Sequence, residues 1–211
     1  MESAQTRGGT RWKRFAVVMV PSVAATAAIG VALAQGALAA SFSVSGQQFK
    51  VSAQKLEGTG FLQYGAVDAQ HGDKHVPVAV SAFKSATITG LCQSVVIPNL
   101  PFGIGDVTMK LTAGGSGASP VEAKDLYIDL DNLNADATFT NINIGVAAGD
   151  SSKGPGMHSS PSELADPGSF AQEADKAELS NVQQTAWATS AGTFKLSGLS
   201  MHVNKGDNEC Y

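Results

Sequence analysis

Arginine is missing from the chain beyond Arg14. No guanidinium fork is therefore available in the body of the protein for bidentate capture of phosphates or base edges, which excludes nucleic acid as a partner. Positive charge is scarce in general: from residue 41 onward ten lysines stand against seventeen Asp and Glu. That acidic balance also excludes simple adhesion to anionic lipid headgroups, which needs clustered Lys and Arg. Cysteine is nearly absent. Cys92 and Cys210 have no second Cys or His at a C-x-x-C or similar spacing, so a metal or catalytic thiol pair is disfavoured and a single disulfide is predicted. Long helical stretches are lacking too. Only Ser162 to Ala177 has a helix-like composition, and Pro167 with Gly168 splits it into short pieces.

What is present begins with a leader. Arg7, Arg11, Lys13 and Arg14 precede an uncharged run that meets no charge until Lys50. Its apolar part, Phe15 to Ala34, is long enough for a helix to span a bilayer. Ala37-Leu38-Ala39 supplies the small-x-small pattern of a cleavage site. Cleaved signal and retained anchor helix predict the same topology: residues 1–40 are a basic cytoplasmic stub plus export signal or transmembrane anchor, and residues 41–211 form one extracytoplasmic domain. The protein is expected at the outer face of the cytoplasmic membrane or secreted, with the membrane as a partner if the leader stays. An oxidising compartment is where a Cys92–Cys210 bond persists.

The body reads as short alternating stretches bounded by Gly, Asn, Asp and Ser. Strands are predicted over Gln48 to Ala53, Ser85 to Thr89, Ser94 to Ile97, Val107 to Thr112, Asp125 to Leu130, Ala137 to Ile144, Lys176 to Val182, Thr193 to Leu196 and Leu199 to Val203. A weak repeat runs through them: apolar, polar, apolar, polar, a turn-type or polar residue, then an aliphatic. Its fifth positions are Lys55, Gly90, Asp125, Asn141, Asn181 and Gly198. Two polar positions in succession slip the period-2 alternation, which a strand tolerates only where it bends or bulges. The fold class is accordingly all-β: a jelly-roll or curved sandwich-like domain of bent strands, with an irregular β-solenoid as the alternative. Ala113 to Pro120 is predicted as a flexible connection and 149–169 as a mobile loop.

Chemistry-bearing residues are sparse. Ala188-Thr189-Ser190-Ala191-Gly192 is a relaxed nucleophile elbow, with His202 as the base it would need, but the flanking residues read as strands and Asp207 follows His202 in the wrong order for an α/β hydrolase. His71 and His75 flank Asp73 in a segment that Gly72 marks as a turn between strands. Asp129 and Asp131 head an acidic cluster that matches no calcium loop; as strand neighbours two apart they are expected on one face, either holding a cation or blunting a sheet edge. No cofactor is predicted. Val96, Ile97, Leu100, Phe102 and Ile104 cluster in a proline-containing segment, which is core filler if buried and a docking surface for lipid or protein if exposed.

The runs Arg11-Trp12-Lys13-Arg14-Phe15, Gly90-Leu91-Cys92-Gln93-Ser94-Val95, Pro98-Asn99-Leu100-Pro101-Phe102-Gly103, Ala137 to Gly145 and Gln184 to Thr189 resemble an uncharacterised family of small actinobacterial envelope proteins, membrane-anchored or secreted. Some of its members carry the label cholesterol esterase. The resemblance spans essentially the whole chain and implies an envelope location, without catalytic residues to transfer. The expected function is a non-catalytic envelope protein binding a hydrophobic ligand or an envelope protein partner. A secreted serine esterase acting on lipid esters through Ser190 and His202, and a surface protein that self-associates through β edges, are the alternatives.

Overall fold

A computed structural model describes residues 45–72, 74–158 and 163–211. The predicted leader, residues 1–40, lies outside the described residues. Among the described residues no helix is long and apolar enough to cross a membrane.

These residues build one antiparallel sheet of nine strands: β1 (Phe49–Gln70), β2 (Lys74–Thr89), β3 (Leu91–Leu100), β4 (Gly105–Ala113), β5 (Val121–Thr140), β6 (Asn143–Ala147), β7 (Glu163–Leu164), β8 (Phe170–Lys195) and β9 (Ser200–Lys205). The sole helical element among them is a single 3-10 turn, Ala148–Asp150. The sheet order is β6-β8-β5-β2-β1-β3-β4-β9, with β7 added beside β1. A further pairing of β8 with β1 closes β1, β2, β5 and β8 into a ring. Around that ring Gly58 pairs with Ala86, Ala86 with Ala123, and Ala123 with Phe194, yet the other partner of Gly58 is Ala177, seventeen positions before Phe194. So large a stagger over four strands means that they run steeply around the ring axis rather than along it. Every ladder is antiparallel, which removes the stacked parallel coils of a solenoid.

Long strands can wrap in this way because they have corners, and the corners fall on the repeat. Gly90, Asp125, Asn141, Asn181 and Gly198, five of its six fifth positions, have φ between 48° and 65°. Asn and Asp adopt the left-handed region more readily than other side chains. Here two of the Asn side chains are held: Asn141 Nδ2 donates to Asp175 Oδ2 at 2.7 Å and Asn181 Nδ2 to Asp136 Oδ2 at 2.8 Å. Lys55 lacks the positive φ, although the alternation slips there too, with Gln54 and Lys55 both exposed between buried Ala53 and Leu56; β1 has a further corner at Gly60, φ 61°. There the alternation changes phase, so that Gly60, Phe61 and Leu62 are buried in succession.

One corner is shared by three neighbouring strands. Gly90 N–H donates to Gly114 O at 2.7 Å, and Gly114 N–H to Ser197 O at 2.8 Å. A Cβ on Gly114 would lie 2.9 Å from Ile88 O and 3.1 Å from Val121 N, both backbone atoms, at a φ of 63°. Gly114→Ala is therefore expected to destabilise the fold by about 1–3 kcal/mol. Gly115→Ala, where the added Cβ meets nothing within 4 Å, should stay within about 0.5 kcal/mol of wild type in the same urea titration.

Two apolar clusters result from the phase change. The larger fills the ring around Phe61, whose ring centroid lies 5.4 Å from that of Phe83 and 5.0 Å from that of Phe139. Gly58 makes room for this group, since a Cβ there would sit 2.2 Å from the Phe83 ring. The smaller, built on Leu62, Tyr64, Val78 and Val80, lies on the opposite face of β1 and β2.

The sequence reading needs three corrections here. The helix-like stretch Ser162 to Ala177 contains β7 and the start of β8, because pairing of β8 with β1 and β6 overrides helical propensity. The predicted loop at 149–169 is largely irregular over its described part except for β7, and it makes packing contacts: Gly149 N–H donates to Pro167 O at 2.8 Å, Gly154 abuts Leu62, and Met157 and Ala165 pack on the smaller cluster. Asp129 and Asp131 do not share an environment. Asp129 is buried and Asp131 exposed, on a strand flanked by β8 and β2 rather than at an edge, with the β5–β8 register shifting between Asp129 and Asn132.

Candidate functional site: an apolar lumen and the apron that continues it

Inside the ring the side chains leave a cavity of about 140 Å³, walled by Leu56, Phe61, Phe83, Leu130, Phe139 and Leu179. Its polar lining is confined to Gln63, Ser81 and Gln184. Gln63 Nε2 donates to Ser81 Oγ at 2.7 Å, and Gln63 Oε1 accepts from Gln172 Nε2, so Gln63 is held in place. A second space of about 30 Å³ shares Leu56, Ile128 and Gln184 with the first and reaches Gln93 and Phe194. An apolar guest would supply packing contacts that the walls of this space lack.

The lumen face does not end at the ring. Residues directly opposite in an antiparallel pair share one face of the sheet. Val51, in the core, is opposite Gln93; Gln93 is opposite Leu111, and Leu111 opposite Met201. The next row is Val95, Met109 and Val203, and beyond it Ile97 faces Val107. The inner face of the ring thus continues onto β3, β4 and β9 as an apolar apron, on which Met201 and Val203 are exposed. Phe194, at the junction, is 37% exposed.

The other face of the apron carries the C-terminal tail. Cys92 and Cys210 are disulfide-bonded as predicted, with Cα atoms 5.9 Å apart. Gly206 O accepts from Thr108 Oγ1 at 2.6 Å, Asn208 N–H donates to Thr108 Oγ1 at 3.0 Å, and Cys210 N–H to Ser94 Oγ at 3.0 Å. Lys50 forms an ion pair with Glu209. The tail therefore covers β3 and β4 on one face, with His202 of β9 still exposed there, while Met109, Met201 and Val203 are exposed on the lumen-side face.

The segment singled out in the sequence lies at the apron's end. Val96, Ile97 and Leu100 are half-buried on β3, Ile104 is exposed, and Phe102 is 97% exposed at the tip of the β3–β4 hairpin. The core-filler reading of that segment does not hold for the tip. His71 and Gly72 form the turn between β1 and β2, and His75 pairs with Ala69. Ser190 is exposed on β8 opposite Tyr127, whereas His202 lies on β9 opposite Lys110, with its Nε2 3.0 Å from Ser200 Oγ. No hydrogen bond joins Ser190 to His202 among the described residues.

A polar cluster of which the sequence singled out only Asp129 sits on the other side of the sheet. Tyr64 donates to Glu163 Oε1 at 2.7 Å and accepts from His158 N–H at 2.8 Å; His158 Nδ1 lies 3.0 Å from Glu163 Oε2, and its ring stacks on Tyr127 at 4.5 Å. Beside them Asp68 and Asp129 are buried, and neither Asp68 oxygen has a hydrogen-bond partner among the described residues. Burial, then the charge of Glu163, pushes the Asp68 carboxyl up; burial, then the charge of Asp68, does the same to Asp129. The hydrogen bond to Glu163 raises His158. Among the described residues, no three of the His, Cys, Asp and Glu side chains are arranged to hold a metal. The spacing Tyr64-x-Ala66-x-Asp68-x-Gln70 is the period-2 signal that places Asp68 on a buried face.

Fold and site together define a rolled single-sheet β protein whose closed ring has an apolar interior and whose inner face continues onto an exposed apolar apron. The chain belongs to a family of unknown function (DUF6230), whose family model matches residues 45–211. No curated protein and no solved structure matches it.

Proposed function

We propose that the protein is an exported, non-catalytic binder of a single-chain apolar ligand such as an acyl chain, with the body wrapped around its guest in the manner of a jelly roll. The observation that carries this reading is the continuity of the lumen face with the exposed apron through Gln93 and Phe194. An apolar cavity of this size takes a guest of the order of benzene. A thin flexible chain meets that limit by entering along its length and lying on the apron for the remainder; a fused ring system does not. Gln63 and Gln184 are the polar groups that face such a chain. A disulfide suits the oxidising compartment outside the cytoplasm, where an envelope lipid is the natural guest.

Titration of the full chain with a fluorescent fatty acid should give saturable binding at one site. Ala135 is half-buried and lines the lumen; Ala135→Phe fills it and should weaken binding by about tenfold or more, about 1.4 kcal/mol. Overpacking costs about 1–3 kcal/mol of stability, so a melting curve accompanies the titration. Unchanged affinity in a folded Ala135→Phe variant would remove the lumen from the account.

A further inference from the structure

Phe102 is the first central residue of the turn that closes the β3–β4 hairpin, in which Ile104 N–H donates to Pro101 O and both central residues, Phe102 and Gly103, have the positive φ that such hairpin turns require. A bulky residue with φ of 63° is strained, and at 97% exposure no packing compensates it. The tip is nevertheless braced: Asn99 N–H donates to Asp106 Oδ1 at 2.9 Å, Ile104 N–H to Pro101 O at 3.4 Å, and Pro98 and Pro101 stiffen the approach. Gly, Asn or Asp is the usual residue at that turn position, and the brace here instead presents an aromatic and Ile104 outward. From Ser85 to Gly105 there is no charged residue, so the whole length of β3 and the tip carry none.

We propose that the β3–β4 hairpin tip inserts Phe102 and Ile104 into the interfacial layer of a lipid bilayer, and that the apron then leads an acyl chain from that layer to the lumen. The choice of lipid as occupant and the second step rest on the lumen reading. Lipid is favoured as the occupant because the tip joins directly, through Ile97, Val95 and Gln93, to a cavity suited to an acyl chain, and because Phe15 to Ala34 of the same chain is long enough to span that bilayer. The attraction is apolar, not electrostatic. The acidic body is not drawn to anionic headgroups, so insertion should occur in neutral phosphatidylcholine and persist at high salt.

The test uses the full chain in phosphatidylcholine vesicles, with an environment-sensitive dye on Phe102→Cys and, as the reference, on Glu122→Cys, an exposed site on β5. The native cysteines are disulfide-bonded and do not compete for the dye. The tip dye should shift to the blue and be quenched by lipids brominated in the acyl chain, while the dye at position 122 stays as in water. With the dye moved to Ile104→Cys, adding Phe102→Asp should abolish the shift. A tip spectrum identical in vesicles and in buffer would overturn the proposal. Extraction of bound lipid from the same preparation separates the two readings. An occupied lumen with a dry tip sinks insertion alone, and an inserted tip with an empty lumen supports insertion while removing the acyl-chain site.

Discussion

Replacing both Cys92 and Cys210 with Ala lowers the unfolding free energy by about 4–5 kcal/mol, the largest effect expected of any change outside the ring. The bond spans 118 positions, and in the chain-entropy model a loop of that size restrains the unfolded chain strongly. A second consequence is local. Thr108 and Ser94 are fully buried, and their hydroxyls bond the tail backbone at Gly206, Asn208 and Cys210. Release of the tail exposes these groups along with the face of β3 and β4 that the tail covers. Urea unfolding should show the stability loss, and limited proteolysis should remove the C-terminus before it cuts the ring. A loss below about 1 kcal/mol, with the tail still protected, would mean that hydrogen bonds and the Lys50–Glu209 pair hold the tail without the disulfide.

Raising the pH from 5.5 to 8.5 should destabilise the protein, and Asp129→Asn should remove a large part of that loss. Burial first, and then neighbouring negative charge, place the folded pKa of both Asp68 and Asp129 above the value of 3.8 usual for an aspartate. Between the unfolded and folded values the native state binds more protons, so stability is fully present below the unfolded pKa and falls as pH rises through the folded one. His158 acts in the same direction. The Glu163 hydrogen bond raises it above 6.5, and the stabilisation from its charged form is lost as pH climbs through that raised value. Glu173 opposes them at the acid end. Burial acts to raise its pKa, but hydrogen bonds from Lys153 N–H, Asn143 and Ser152 N–H outweigh that and hold it below the usual range, so its contribution is lost on acidification through the depressed value. Asp129→Asn keeps the shape and removes one of the two charges, and should raise stability at pH 8.5 by about 1–3 kcal/mol relative to wild type. Asp131→Asn, at an exposed position of the same strand, serves as the reference variant. Melting across that range that does not vary with pH would contradict the assignment.

The corners were legible in the sequence because they depend on local chemistry. A residue type that tolerates positive φ, placed where alternation slips, is visible without the fold, and Gly90, Asp125, Asn141, Asn181 and Gly198 adopt that conformation. At Lys55 the alternation slips without a positive φ, and β1 has its left-handed corner at Gly60. Strand length was not legible. Gly58, Gly60 and Gly65 interrupt any local reading of β1, yet β1 runs through all three, one of them giving space to Phe83 and another forming a corner. The start of β8, Ala171 to Ala174, has helix-forming residues that only two-sided pairing makes into a strand. The lumen could not be read at all, since it is the space left between Leu56, Phe139 and Leu179, on three different strands. Apart from Asp129, the acidic cluster was hidden for the same reason: Tyr64 and Glu163 are 99 positions apart.

The most direct test of the central claim is native mass spectrometry of the full chain purified from the host that makes it, followed by solvent extraction and identification of what it carries. The account predicts one single-chain apolar molecule per protein, lost in Ala135→Phe. A protein that carries nothing, and that the fluorescent fatty acid does not bind, would contradict it.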